Sequence, residues 1–167
     1  MKVIDIRCFC FALLALACAA VAGTGEPQTD LERMQGNWRV LKIADGSDAP
    51  PPPEVVKEMC FSIKGDKMTP RRGLFLAQSP ATLKLDPSKK PKTVDLLGFG
   101  QKRVDPPDGG QPKMVPNPEP VLGIYELDGD GLRFCLTGPG AAPNARPKEF
   151  KELDKRRQAL LVLQRFK

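Results

Sequence analysis

Gly36-Asn37-Trp38 narrows the fold of this chain more than any other feature. The single tryptophan among 167 residues sits there, one residue beyond a glycine, and opens the first alternating segment. Short strand candidates follow it to the C-terminus. With no long helices between them, they argue for a small antiparallel β-barrel whose base is plugged by one large ring.

Residues 37–44 alternate polar and apolar side chains, the period of a half-buried strand. The same alternation puts Phe61 and Ile63 on one face of 60–64, Leu83 and Leu85 on one face of 82–85, and Val94 and Leu96 on one face of 93–97. In 131–136 it aligns Leu132, Phe134 and Leu136. All of these are expected to point inward. Segments 121–127 and 159–166 complete the series. Gly65-Asp66 reads as a tight turn into a short strand at Lys67-Met68-Thr69, 86–91 reads as a turn, and Asp128-Gly129-Asp130 is the strongest hairpin signal. The fold class is therefore all-β: an up-and-down antiparallel barrel of about eight strands.

Helix has little room. Residues 53–59, entered through Pro50 to Pro53, suit one short helix with proline in its first turn. Residues 30–36 read as one helical turn with Asp30 as N-cap. Two stretches stand outside the meander. Residues 99–120 hold six prolines and three glycines and read as a structureless surface loop at the barrel mouth or on its side. Residues 148–158 are densely charged and read as a solvated excursion or a helical turn.

The first 22 residues read as a signal peptide. Lys2 and Arg7 precede an apolar run, and Ala20-Val21-Ala22 supplies a small-x-small cleavage pattern. The run is shorter than the roughly 20 apolar residues of a spanning helix, so no transmembrane span is expected in the mature chain. A second reading takes Ala15-Leu16-Ala17-Cys18 as a lipobox, with Cys18 lipidated at the mature N-terminus. With the cut after Ala22, residues 23–30 read as a flexible lead-in and 31–167 as one barrel domain. Cleavage leaves Cys60 and Cys135 as the remaining cysteines. An even pair in an oxidising compartment invites a disulfide; two free, partly buried thiols are the alternative.

Removing Lys2, Arg7 and Asp5 with the leader takes 26 basic and 20 acidic residues to 24 and 19, a net +5. The excess is scattered over Arg71-Arg72, Lys89-Lys90 and Lys155-Arg156-Arg157, and one tryptophan and one tyrosine offer little stacking surface. Nucleic-acid binding is not expected; acidic polymers or anionic envelope components suit such a surface better. Histidine is absent, which removes the commonest general base and metal ligand. No Gly-x-Ser-x-Gly occurs. Glu126, Asp128 and Asp130 crowd one hairpin without the spacing of a calcium loop, so they read as turn chemistry. Neither Cys60 nor Cys135 has the inward parity, and a nucleophilic cysteine would need a cationic neighbour in a cleft. No catalysis, cofactor or metal is expected.

Six stretches carry a family resemblance: Met34-Gln35-Gly36-Asn37-Trp38, Lys64-Gly65-Asp66-Lys67, 85–96, 122–130, Arg133-Phe134-Cys135-Leu136 and Arg146-Pro147-Lys148-Glu149-Phe150. In this order they resemble the exported lipocalin-like domains, of no established activity, that are abundant in planctomycete bacteria. The resemblance implies a lipocalin-like barrel and export, and brings no catalytic residues. It also implies roles for Gly36, Trp38 and Arg165: the ring after the glycine seals the closed end, and a basic side chain near the last strand packs over it. The chain departs from the pattern at 68–80, where Pro70, Arg71, Arg72 and Gly73 interrupt an expected strand.

Two functional readings follow. One is an exported, non-catalytic binding module with a small apolar ligand in the lumen. The other is an envelope-associated scaffold with a packed barrel, whose loops, chiefly 99–120, meet a protein or polymer.

Overall fold

The computed structural model describes residues 28–44, 50–72, 79–151 and 158–167. The signal peptide expected at 1–22, the lipidation reading of Cys18 and most of the lead-in at 23–30 lie outside the described residues. So do 73–78 of the interrupted stretch and 152–157 of the charged one.

In chain order the elements are α1 (Asp30–Arg33), β1 (Gly36–Ala44), α2 (Pro53–Glu58), β2 (Cys60–Lys64), β3 (Lys67–Arg72), β4 (Ala81–Asp86) and β5 (Thr93–Leu97). There follow β6 (Gln101–Val104), β7 (Lys113–Pro116), β8 (Val121–Asp128), β9 (Gly131–Thr137), a 3-10 turn (Pro143–Ala145) and β10 (Gln158–Phe166). Eight of these strands close an antiparallel barrel in the order β1-β10-β9-β8-β5-β4-β3-β2. Apart from the β6–β7 excursion, each strand pairs with the next in sequence, and β10 returns to β1. Closure pairs every barrel strand on both sides over at least part of its length.

The expected inward rows of β2, β4, β5 and β9 all fall in one core, with Leu85 partly buried against it. β8 adds Val121, Tyr125 and Leu127, and β10 adds Leu161 and Leu163. Met34, from the end of α1, and Val56 and Met59, from α2 and its C-cap, join the same cluster. Burying side chains of this size stabilises by roughly 1.5–3 kcal/mol each, and here one cylinder collects them.

Three local readings are corrected. The N-cap of α1 is Thr29 rather than Asp30: the Thr29 hydroxyl accepts from the Glu32 N–H and the Glu32 carboxylate accepts from the Thr29 N–H, a capping box. Residues 99–120 are not structureless. β6 and β7 pair antiparallel, from Gln101 with Pro116 to Val104 with Lys113, as a separate two-stranded sheet. Pro106, Pro107 and Pro112 fall in the connection, where no ladder N–H is needed, so a hairpin survives the proline content. The interrupted stretch contributes β3, which carries Pro70 opposite Phe61 beside a register shift. Its pairing with β4 is confined to Lys67 with Thr82 and Met68 with Ala81, so Pro70 lies beyond that ladder.

The foot of the barrel is built around Trp38. The ring is fully buried, and its indole N–H donates to the Met34 carbonyl at 2.8 Å. Trp38 stands opposite Phe61 on β2 and Arg165 on β10. Arg165 continues the inward parity of Leu161 and Leu163, and its guanidinium lies 4.3 Å from the indole centroid. Its remaining donors bond the Gln35 and Arg33 carbonyls and the Asp130 carboxylate at 2.9 Å. Gly36, at φ +117, sits below; a Cβ there would lie 3.2 Å from the Arg165 guanidinium in a conformation L-residues rarely adopt. One cation thus covers the ring and ties α1, the β8–β9 turn and the last strand together.

Trp38→Ala is expected to lower unfolding free energy by about 3–5 kcal/mol through the cavity it leaves. Arg165→Met, which keeps a stem but no donors, is expected to cost about 1–3 kcal/mol. Urea melts followed by circular dichroism check both, and near-wild-type midpoints would contradict the plug.

Candidate functional site

The largest fully buried side chains are Trp38, Tyr125, Phe61, Phe134, Met34 and Met59, and they fill the inside of the cylinder. Four clefts lined by described residues open on the outer wall.

One of these, of about 710 Å³, lies between the outer face of β4–β5 and the strap at 143–148. Arg146 holds the strap down. Its guanidinium donates to the carbonyls of Val94 at 3.0 Å and Gly123 at 2.8 Å, and to Asp95 at 2.7 Å. Val94 and Gly123 are register partners on β5 and β8, so a single side chain spans two strands. Further along, Phe150 covers an outer apolar patch of Ile124, Cys135 and Leu160, with Arg133 4.9 Å above its ring. Inside the wall at the same level, β8 and β9 press together at Gly123, where a Cβ would fall 2.5 Å from Leu136 and 2.7 Å from the Cys135 carbonyl. No side chain fits there.

Lys84, Lys89, Lys90 and Lys148 surround this cleft with Arg146. Its two carboxylates are already engaged. Asp86 accepts from the Ser88 N–H at 3.0 Å and the Ser88 hydroxyl at 2.5 Å, which hold its pKa below the ordinary value. Asp95 faces Lys84 across the β4–β5 ladder, yet it is drawn to Arg146. A second outer cleft, of about 800 Å³, is lined by Arg39, Lys57, Arg71, Arg72 and Cys60, among others.

Inside the barrel, a polar latch joins α1 to the wall. The Tyr125 hydroxyl and the Lys92 ammonium each donate to the same Asp30 oxygen at 2.7 Å. Arg33 adds a weaker contact at 3.5 Å. Burial by itself raises the Asp30 carboxyl; the bonds from Lys92 and Tyr125 and the nearby positive charges outweigh it, so its pKa lies below the ordinary value. Burial, and then the Asp30 carboxylate, push the Tyr125 phenol up. Sequence reading assigned Asp30 only a cap and gave Tyr125 no partner. The usable signal was parity: the lone tyrosine shares the inward face of β8, where a buried hydroxyl requires an acceptor.

Cys60 and Cys135 are both free thiols. They sit on β2 and β9, with β1 and β10 between them, and neighbouring strands are about 4.8 Å apart, so the disulfide considered from the sequence is not formed. Cys135 is buried under Phe150, and that burial pushes its thiol up to about 11, which leaves little thiolate for attack at neutral pH. Two of the three acids of the β8–β9 hairpin are engaged in the wall: Glu126 pairs with Arg133 opposite it, and Asp130 with Arg165. Among the described residues no group of three or more acidic or cysteine side chains is placed to hold a metal ion. No helix among them is long and apolar enough to cross a membrane.

Tyr125→Phe and Asp30→Asn are each expected to lower stability by about 1.5–3 kcal/mol at pH 7, because each breaks a buried hydrogen bond to a charged group. A carboxylate with a depressed folded pKa contributes fully above its unfolded value and loses that contribution as pH falls through the folded one. The gap between wild type and Asp30→Asn is therefore expected to narrow below about pH 4. Denaturant melts across pH 2.5–7 read it, and a pH-independent gap would refute the latch.

Compared with protein-family models, with curated proteins and with solved structures, the chain finds no match.

Proposed function

We propose that this chain is an exported, non-catalytic binding scaffold: a lipocalin-like barrel that works through its outer surface and meets a component of the cell envelope. The observation that carries this reading is the filled interior. Trp38, Phe61, Tyr125 and Phe134 are each no more than 1% exposed, so a small apolar ligand in the lumen would have to displace packed rings. Eight-stranded barrels either fill themselves with side chains or hold one small ligand, and bulky inward rows belong to the first kind. The outer wall carries the recessed, charged surface that the interior lacks. The engaged hairpin acids and the buried Cys135 support a role without catalysis.

Titration with palmitate and with a fluorescent lipophile, followed through Trp38 emission and native mass spectrometry, tests the reading. No saturable uptake and an unshifted melting temperature are expected. One retained lipid per barrel, with altered Trp38 emission and a higher melting temperature, would instead establish a ligand carrier.

A further inference from the structure

We propose that the outer cleft between β4–β5 and the 143–148 strap binds a short segment of an acidic polysaccharide. The proposal deepens the outer-surface reading and rests on it. Five basic side chains against two carboxylates give the cleft a formal charge of +3. The two carboxylates are occupied internally, Asp86 by Ser88 and Asp95 by Arg146. Lys84, Lys90 and Lys148 have no hydrogen-bond or ion-pair partner among the described residues, and all three are exposed. Their ammonium groups face a recess that their own protein does not neutralise.

The distribution of the charges selects the ligand. Lys84 comes from β4, Lys89 and Lys90 from the following loop, and Lys148 from the strap, so the cations border the cleft from three separate segments. A chain that repeats its charge along its length can engage all three at once. Pro91, Ile124 and Pro143 supply aliphatic surface between the cations, the partly buried Leu85 of the core reaches its edge, and Thr93 and Asn144 stand beside it as hydrogen-bonding groups. Sugar rings with apolar faces and hydroxyl edges match that mixture.

Other polyanions fit less well. No aromatic ring lines the cleft, so nucleic-acid bases find no stacking platform. An acidic peptide offers the cations the same charge but no ring face for the aliphatic residues between them. The charges line a cleft between the wall and the strap, a shape that a single chain enters more readily than a bilayer surface does.

The experiment is isothermal titration of the full protein with a short oligogalacturonate. A neutral galacto-oligosaccharide of equal length, poly-glutamate, inorganic phosphate and phosphatidylglycerol vesicles serve as parallel probes. Saturable binding of the oligogalacturonate is expected, weakening about tenfold when salt is raised past the point where the Debye length falls below the cleft's dimensions. The double variant Lys84→Gln, Lys148→Gln, which changes the net charge by the same two units as the control below, is expected to lose about tenfold in affinity with an unchanged melting temperature, since both side chains are exposed. Lys57→Glu in the second cleft serves as the charge control and is expected to change affinity less than about twofold.

Equal loss in the control would reduce the effect to overall charge and overturn the site. Absence of binding, or preference for poly-glutamate, phosphate or vesicles, would overturn the ligand. The two proposals fail separately: uptake of palmitate into the lumen removes the outer-surface reading whether or not the oligogalacturonate binds.

Discussion

The contact on which the rest of the molecule depends is the Arg165 guanidinium seated on the Trp38 ring. A cylinder of strands has an open foot, and a fully buried indole fills it. An indole alone would leave its ring face and the nearby carbonyls of Arg33 and Gln35 exposed to water. Arg165 answers both needs, because a guanidinium attracts the aromatic face and donates in its own plane. The residue comes from the last strand and the ring from the first, so the contact also fastens the seam at which the barrel closes.

Around that foot the polar groups act as fasteners. Asp30, Tyr125 and Lys92 tie α1 to the wall; Arg146 ties the strap to β5 and β8. In both cases a buried or half-buried charge has its partners within hydrogen-bonding distance, the condition under which such a group stabilises. Asp30 and Asp95 are the carboxylates drawn into these fasteners. Positive charge is left over on the outer wall, most plainly at Lys84, whose cross-strand partner Asp95 is held by Arg146.

The packed core and the sculpted exterior follow from the same sequence choice. Inward positions carry Trp, Tyr, Phe, Leu and Met, which occupy the volume a ligand would need. Gly123 lets β8 and β9 approach until no Cβ fits between them. Clefts then arise where long connections fold back over the wall, as 143–148 does over β4–β5. On this view the strap creates the surface that the barrel itself does not provide.

By itself the sequence determined the strand series, its inward rows and α2, because side-chain alternation and turn chemistry are local properties of the chain. The Gly-Asp turns and the parity of Phe61, Leu83, Val94 and Phe134 were legible for that reason. The resemblance pointed to Trp38 and Arg165, and the barrel register explains them: the two lie opposite each other on paired strands. Tertiary structure alone decided the rest. It paired β6 with β7 inside a proline-rich stretch, kept Cys60 and Cys135 apart with two strands between them, and joined Asp30 to residues 62 and 95 positions away. Such outcomes depend on which strands become neighbours and how far each is staggered, and barrel closure fixes both only once all eight strands are in place.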